Sequence, residues 1–235
     1  MSYSGLSILA VVPARGGSKG IPRKNLQKVA GKSLIAHAAD CALAVDWIDR
    51  AVISTDDKEI AEEARNAELD VPFLRPAELA TDQAKSIDMW RHAWLESESY
   101  CDTRFDLSVL LEPTSPLRRP EDIETTIKTM VGGGLGSAAT VSRTPGHYTP
   151  HKTLTVSDRG LIGFYREDGE TFSRRQDIPA YYHRNGVCYA ARRETILDKG
   201  HIIGPDCAAV IIDRDLVNID TPLDLELADW LLKRP

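Results

Sequence analysis

The densest run of chemistry-bearing residues is Ala14 to Asn25, ARGGSKGIPRKN, directly after a short apolar stretch. Gly16, Gly17 and Gly20 free the backbone to bend and bring its N–H groups close to an anion. Arg15, Lys19, Arg23 and Lys24 put four cations within ten residues, and Pro13 and Pro22 stiffen the two ends. A pliant backbone among cations, at the carboxyl end of a strand in an open α/β sheet, is where phosphates bind. A merely solvated basic loop accounts less well for strand, glycines and cations together. Two common phosphate motifs are excluded. The glycines run G-G-S-K-G rather than G-x-G-x-x-G, and Gly31-Lys32-Ser33 has Leu26 where a Walker loop needs glycine.

The elements that must position this loop alternate along the chain. Leu6 to Ala14 reads as a strand buried on both faces, because its apolar run is continuous rather than alternating. A helix over Leu34 to Val45, a strand over Ala51 to Ser54 and an amphipathic helix over Asp57 to Ala67 follow. Strand Leu107 to Leu111, helix Glu121 to Val131 and strand Ser137 to Ser142 continue the pattern. Such alternation implies βαβ crossovers, hence an α/β fold with a mostly parallel sheet and helices on both faces. The pattern falters between residues 144 and 184, rich in Arg, Tyr, His, Gly and Pro, with one strand-like piece (TLTVSD). A structureless loop of about 40 residues is improbable in a compact domain, so this stretch is expected to pack, as a loop-rich insertion, a substrate lid or an oligomer arm, within one domain spanning residues 1–235. Strands Val187 to Ala191 and Ala208 to Ile212 follow, then a strand-like run LVNID and a last helix from Pro222. That helix has Thr221 as cap, Pro222 at its first position and Asp224 in its first turn.

Composition narrows the partners. The 235 residues carry a formal charge of −6, which argues against a general nucleic-acid binder without forbidding a local basic pocket. No stretch nears the ~20 apolar residues of a membrane span, and the start has neither a basic n-region nor a signal core. The expected location is the cytoplasm, with neither membrane nor nucleic acid as partner. Cys41, Cys101, Cys188 and Cys207 lie far apart and read as small apolar residues in a reducing compartment.

The loop RGGSKGIPRKN resembles the opening signature of the acylneuraminate cytidylyltransferases, the CMP-sialic acid synthetases. Further blocks similar to that family follow in order. They are Val52 to Asp56, Leu74 to Ala80 with Asp82, Leu111 to Arg118, Arg174 to Asp177, Asn185-Gly186, and Asn218 to Thr221. The resemblance implies a Rossmann-like nucleotide-diphospho-sugar transferase sheet with an inserted dimerisation arm over residues 144–184, and a homodimer. It also implies CTP, Mg2+ and a 2-keto-3-deoxy sugar acid (a nonulosonic acid) whose anomeric hydroxyl attacks the α-phosphate as pyrophosphate leaves.

Carried onto this sequence, the resemblance gives Arg15 and Lys24 the charge of the triphosphate, with Gly16, Gly17, Ser18 and Lys19 around it. Asn25 orients the nucleotide, Ser86 lies near it, and Arg175 holds the sugar carboxylate with Arg174 as helper. Asp220 is the metal candidate, since magnesium prefers oxygen ligands; capping the last helix is its structural alternative.

Two positions depart from the family. Asn218 stands where the family carries an acid, so a neutral amide oxygen replaces a charge beside the metal, and Asp56 is a further carboxylate that could help. Glu112 stands where many bacterial relatives have Gln, close to the sugar; an acceptor-only carboxylate there points to hydroxyls or an amino group away from the sugar's acid end. His147, His151 and His183 read as packing or interface residues. The alternatives are activation of an eight-carbon ketodeoxyoctonate and a non-catalytic CTP-binding regulator, the latter favoured only by Asn218.

Overall fold

A computed structural model describes residues 3–172, 174 and 177–234. The chain packs as two compact units: residues 1–140, 185–210 and 214–235 in the first, residues 141–184 and 211–213 in the second.

The first unit is built on a six-stranded sheet. Its strands are β1 (Ile8–Pro13), β4 (Arg50–Ser54), β5 (Leu107–Leu110), β6 (Ser137–Arg143), β9 (Tyr182–Arg192) and β10 (Cys207–Ile211), in the order β10-β6-β9-β5-β1-β4. β1 pairs in parallel with β4 and β5, while β9 runs antiparallel to β5. Ile8 to Val12 have no exposed surface, which is why β1 is apolar at every position. Hairpin strands β2 (Lys28–Val29) and β3 (Lys32–Ser33) lie between β1 and the first helix.

Several helices begin where the sequence offers a cap or a first-position proline. The Ser33 hydroxyl accepts the Ala36 amide at the start of α1 (Leu34–Leu43), and the Asp57 carboxylate accepts those of Glu59 and Ile60 at α2 (Lys58–Asn66). α4 (Pro120–Gly132) starts on a proline, and α6 (Pro222–Leu232) on the Thr221 cap expected from sequence, which Asp224 reciprocates. α3 (Ser86–Cys101) lacks a side-chain cap and is held by packing instead. Its Trp90 and Trp94 are fully buried with Phe105, and the Trp90 indole N–H donates to Ser108 Oγ on β5 at 2.9 Å. The short helix α5 (Arg193–Leu197) follows β9.

Two readings need correction. α3 and α5 were not expected from sequence, although α3 carries the protein's largest buried side chains. The strand-like run at residues 216–220 forms no strand: the Ile219 amide donates to Thr114 O at 2.8 Å, its carbonyl accepts from Lys24, and the buried Val217 and Ile219 side chains anchor it without a ladder.

In the second unit, β7 (Leu154–Val156) and β8 (Ile162–Phe164) form an antiparallel hairpin. His151 is its main buried polar residue, packed on Phe172 with Nδ1 3.2 Å from the Tyr181 hydroxyl. The hairpin leaves Leu154, Val156, Leu161, Ile162 and Tyr165 exposed.

Candidate active site

The sequence folds the loop after β1 by fixing its ends and leaving Arg15, Lys19 and Lys24 facing a cleft. The Gly16 amide donates to Asp56 Oδ1 at 3.0 Å, and a Cβ on Gly16 would stand 2.7 Å from Asp57 Oδ2. A Cβ on Gly20 would meet Asp220 O at 2.7 Å, so only glycine lets the loop pass the 216–220 run so closely. Asn25, buried in a 3-10 turn over Lys24–Leu26, donates its amide to Arg15 O at 3.1 Å and ties the loop's end to its beginning.

A cleft of about 540 Å³ opens beside this loop. Arg15, Ser18, Lys19, Gly20, Lys24 and Asn25 line one side, Ser86 on α3 another, and Glu112 and Thr114 after β5 a third. Asn218 and Asp220 complete the wall. Gly16 and Gly17 are not lining residues.

The charges are not free in this state. Asp82 bridges two cations, with Oδ1 2.6 Å from Arg15 Nη2 and Oδ2 2.5 Å from Lys19 Nζ. Those hydrogen bonds, Lys19's first and Arg15's next, hold its carboxyl below the usual range. Lys24 Nζ donates to Ile219 O at 2.7 Å and Asp220 Oδ1 at 3.0 Å. Arg75, almost fully buried in the cleft wall, donates to the hydroxyl and carbonyl of Ser54. Burial lowers its pKa to about 10, against the pull of Asp56, with Arg15 adding to the lowering.

Asp220 is exposed and engages Lys24 through one oxygen; Asn218 is exposed beside it. Among the described residues no three His, Cys, Asp or Glu side chains cluster as a complete metal cage. One carboxylate and one amide oxygen open to a cleft do fit magnesium, which keeps waters and takes substrate phosphates as ligands.

The family model for cytidylyltransferases matches residues 9–202. A CMP-N,N'-diacetyllegionaminic acid synthase of Legionella pneumophila is 32% identical over 232 residues, covering 97% of each chain. An N-acylneuraminate cytidylyltransferase of Escherichia coli is 30% identical over 222 residues, 94% of this chain and 51% of its own length. The chain belongs to the acylneuraminate cytidylyltransferase family. It is a nucleotidyltransferase. The solved CMP:2-keto-3-deoxy-manno-octonic acid synthetase, complexed with CTP, has the same fold at TM-score 0.72 and 20% identity, covering 96% of this chain and 98% of that one.

In this cytidylyltransferase the structure gathers Arg15, Ser18, Lys19, Lys24, Asn25, Ser86, Glu112, Asn218 and Asp220 around one cleft. Arg23, counted with the loop cations, turns away to Asp57 and Glu59 at the start of α2. Arg174 lies in the second unit, its Nε 3.0 Å from Asp177 Oδ2, and Arg175 falls outside the described residues. Asp56 holds the Gly16 amide and is not a lining residue. Sequence reasoning assigned no role to Arg75 or Asp82, though both stand in blocks that resemble the family.

Proposed function

We propose that this enzyme transfers CMP from CTP to the anomeric hydroxyl of a nonulosonic acid of the sialic, legionaminic or pseudaminic kind. The observation that carries this reading is the convergence of Arg15, Lys19, Lys24 and Asn25 with Glu112 and Asp220 on one cleft. The hydroxyl oxygen attacks the α-phosphorus, the bond to the β-phosphate oxygen breaks, pyrophosphate departs, and the hydroxyl proton passes to solvent. In such transfers a protein mostly positions reactants and offsets charge.

Arg15, Lys19 and Lys24 neutralise the triphosphate, with Gly16, Gly17 and Ser18 setting the loop's curvature. Asn25 keeps the loop closed on itself and, with Ser86, orients the nucleotide. Asp220 and Asn218 would hold Mg2+, which supplies charge neutralisation on the phosphates when bound. Lys24, already against Asp220, keeps that carboxylate facing the cleft. Glu112 accepts hydrogen bonds from sugar hydroxyls or an amino group. Arg175, with Arg174, holds the sugar carboxylate.

The enzyme acts as a homodimer, with the exposed apolar hairpin of the second unit buried against a second copy and the two arginines contributed across that interface. An apolar surface of this kind marks an interaction site. We place the reaction in the cytoplasm, in keeping with four unpaired cysteines.

Pyrophosphate release from CTP and Mg2+ against a panel of 2-keto-3-deoxy sugar acids, ketodeoxyoctonate included and with ATP, GTP and UTP as controls, tests the reading. Release that requires CTP and a nine-carbon acid is expected. Release only with the eight-carbon acid, or CTP binding with no turnover on any acid, would overturn it.

A further inference from the structure

Arg118 is a buried cation, 4% exposed, and makes no ion pair among the described residues. Its Nη2 donates to Glu112 O at 2.6 Å and to Gly186 O at 3.3 Å, and its Nε donates to Val187 O. Burial pushes its pKa down, with Cys41, Cys188, Glu112 and Asp122 opposing. Burying a charge away from water is costly, and carbonyl dipoles offset it less fully than a carboxylate. An uncharged residue would fill this space at lower cost, so what distinguishes Arg118 is the set of carbonyls it holds in one place.

Those carbonyls belong to two segments that meet at Arg118, and of the three residues only Glu112 lines the cleft. Glu112 ends the first; Gly186 sits in β9 at φ +71°, where an added Cβ would stand 2.5 Å from Glu112 Oε2 and 2.9 Å from Ser115 Oγ. The Glu112 carboxylate therefore lies against bare backbone, and Arg118 ties both sides of that contact together. Ser115 Oγ donates to Asn185 O at 3.0 Å and closes the same junction from the other end.

We propose that Arg118 is a positioning residue for sugar selection: by clamping the carbonyls of Glu112 and Gly186 it fixes where the Glu112 carboxylate stands in the cleft. This rests on the reading of Glu112 as the sugar-facing acceptor. Arg118 touches no substrate; it acts through Glu112. Lysine cannot reproduce the guanidinium's fixed fork of donors, so Arg118→Lys keeps the charge and loosens the clamp.

The test is steady-state pyrophosphate release by Arg118→Lys, Glu112→Gln and the double variant, with KM measured separately for CTP and sugar acid, beside thermal melts. Arg118→Lys should raise the sugar KM about tenfold or more, since small misplacements of positioned groups cost heavily, and change the CTP KM less than twofold. On the Glu112→Gln background the same substitution should change the sugar KM less than twofold, the non-additivity expected of residues acting as a unit. Additive effects, equal rises in both KM values, or a lower melting temperature with sugar KM unchanged would each overturn the proposal. Should Arg118→Lys fail to fold, Gly186→Ala perturbs the same contact from the opposite side and is read by the same criteria. No turnover by the unaltered chain on any sugar acid would overturn the catalytic reading, and this proposal with it.

Discussion

Replacing Asp82 with Asn tests whether Arg15 and Lys19, the cations proposed to bind the triphosphate, are held by an internal competitor. Both Asp82 oxygens are engaged, one by Arg15 and the other by Lys19. A triphosphate that takes these cations must displace the carboxylate first. Exposed ion pairs of this kind contribute about 1.4- to 5-fold each to an equilibrium, and both pairs are substantially exposed. Two of them correspond to roughly 2- to 25-fold, and screening at physiological salt moves the expectation toward the lower part of that range. Asp82→Asn should therefore bind CTP about fivefold more tightly, measured by titration calorimetry with Mg2+ and no sugar acid. Because Lys19 and Arg15 hold the Asp82 carboxyl below its ordinary range, it stays ionised around neutrality, so the gain should match at pH 6 and pH 8. It should shrink as salt rises from 0.05 to 0.3 M, as a charge effect must. Unchanged or weaker binding would refute the reasoning, and would mean that Asp82 holds Arg15 and Lys19 in place for the nucleotide rather than away from it.

Gly186→Ala forces a side chain into the left-handed region, a cost of about 1–2 kcal/mol, and pushes on Glu112 as well. Calorimetry should show Tm lower by roughly 2–8 °C, with sugar KM raised more than CTP KM. Asn218→Asp adds a second carboxylate beside Asp220, and should lower the Mg2+ concentration for half-maximal activity several-fold in a metal titration; no shift would place residue 218 outside the metal's shell. Glu98 links α3 to Arg193 at the start of α5, with Nη2 2.9 Å from Oε2. Burial alone would raise its pKa, but Arg193, the Phe105 amide and Trp94 outweigh this and hold it below the usual value. A depressed carboxylate contributes stability that is present above its unfolded pKa and lost as pH falls through the folded one. Denaturant melts should therefore find Glu98→Gln less stable at pH 7, with the difference closing below about pH 4.5.

What the sequence made legible is what neighbouring residues decide. β1 is an uninterrupted apolar run because both its faces are covered, and α6 starts at Pro222 because Thr221 and Asp224 cap each other within one turn. The basic loop that lines the cleft was visible for the same reason: its glycines, prolines and cations are adjacent. α3 was equally available, since its buried Met89, Trp90, Ala93, Trp94 and Ser97 keep a helical period. It was missed because no capping residue marks its start and its composition is mixed. Residues 216–220 misled in the opposite direction, because an apolar, β-branched run looks like a strand whether or not a partner strand lies beside it.

The charges obey no such local rule. Arg23 and Arg15 are eight residues apart in one basic loop, yet Arg23 is taken by acids 34 and 36 residues away and Arg15 by one 67 residues away. Only folding decides which cation keeps company with which carboxylate, and so which of them a nucleotide can reach. The same holds for Asn218. In the sequence it looks like a missing charge at a metal site. In the structure the one charge that remains, on Asp220, is already shared with Lys24, so the metal would draw on a carboxylate partly neutralised from behind. Restoring an acid at 218 should then matter more than the loss of one ligand among several suggests, because the new carboxylate would have no such cation already in contact with it. A Lys24→Met variant separates the two effects. It frees Asp220, so the gain from Asn218→Asp should be smaller on that background in direct Mg2+ binding measurements. An equal gain with and without Lys24 would show that Lys24 does not weaken Asp220 as a ligand.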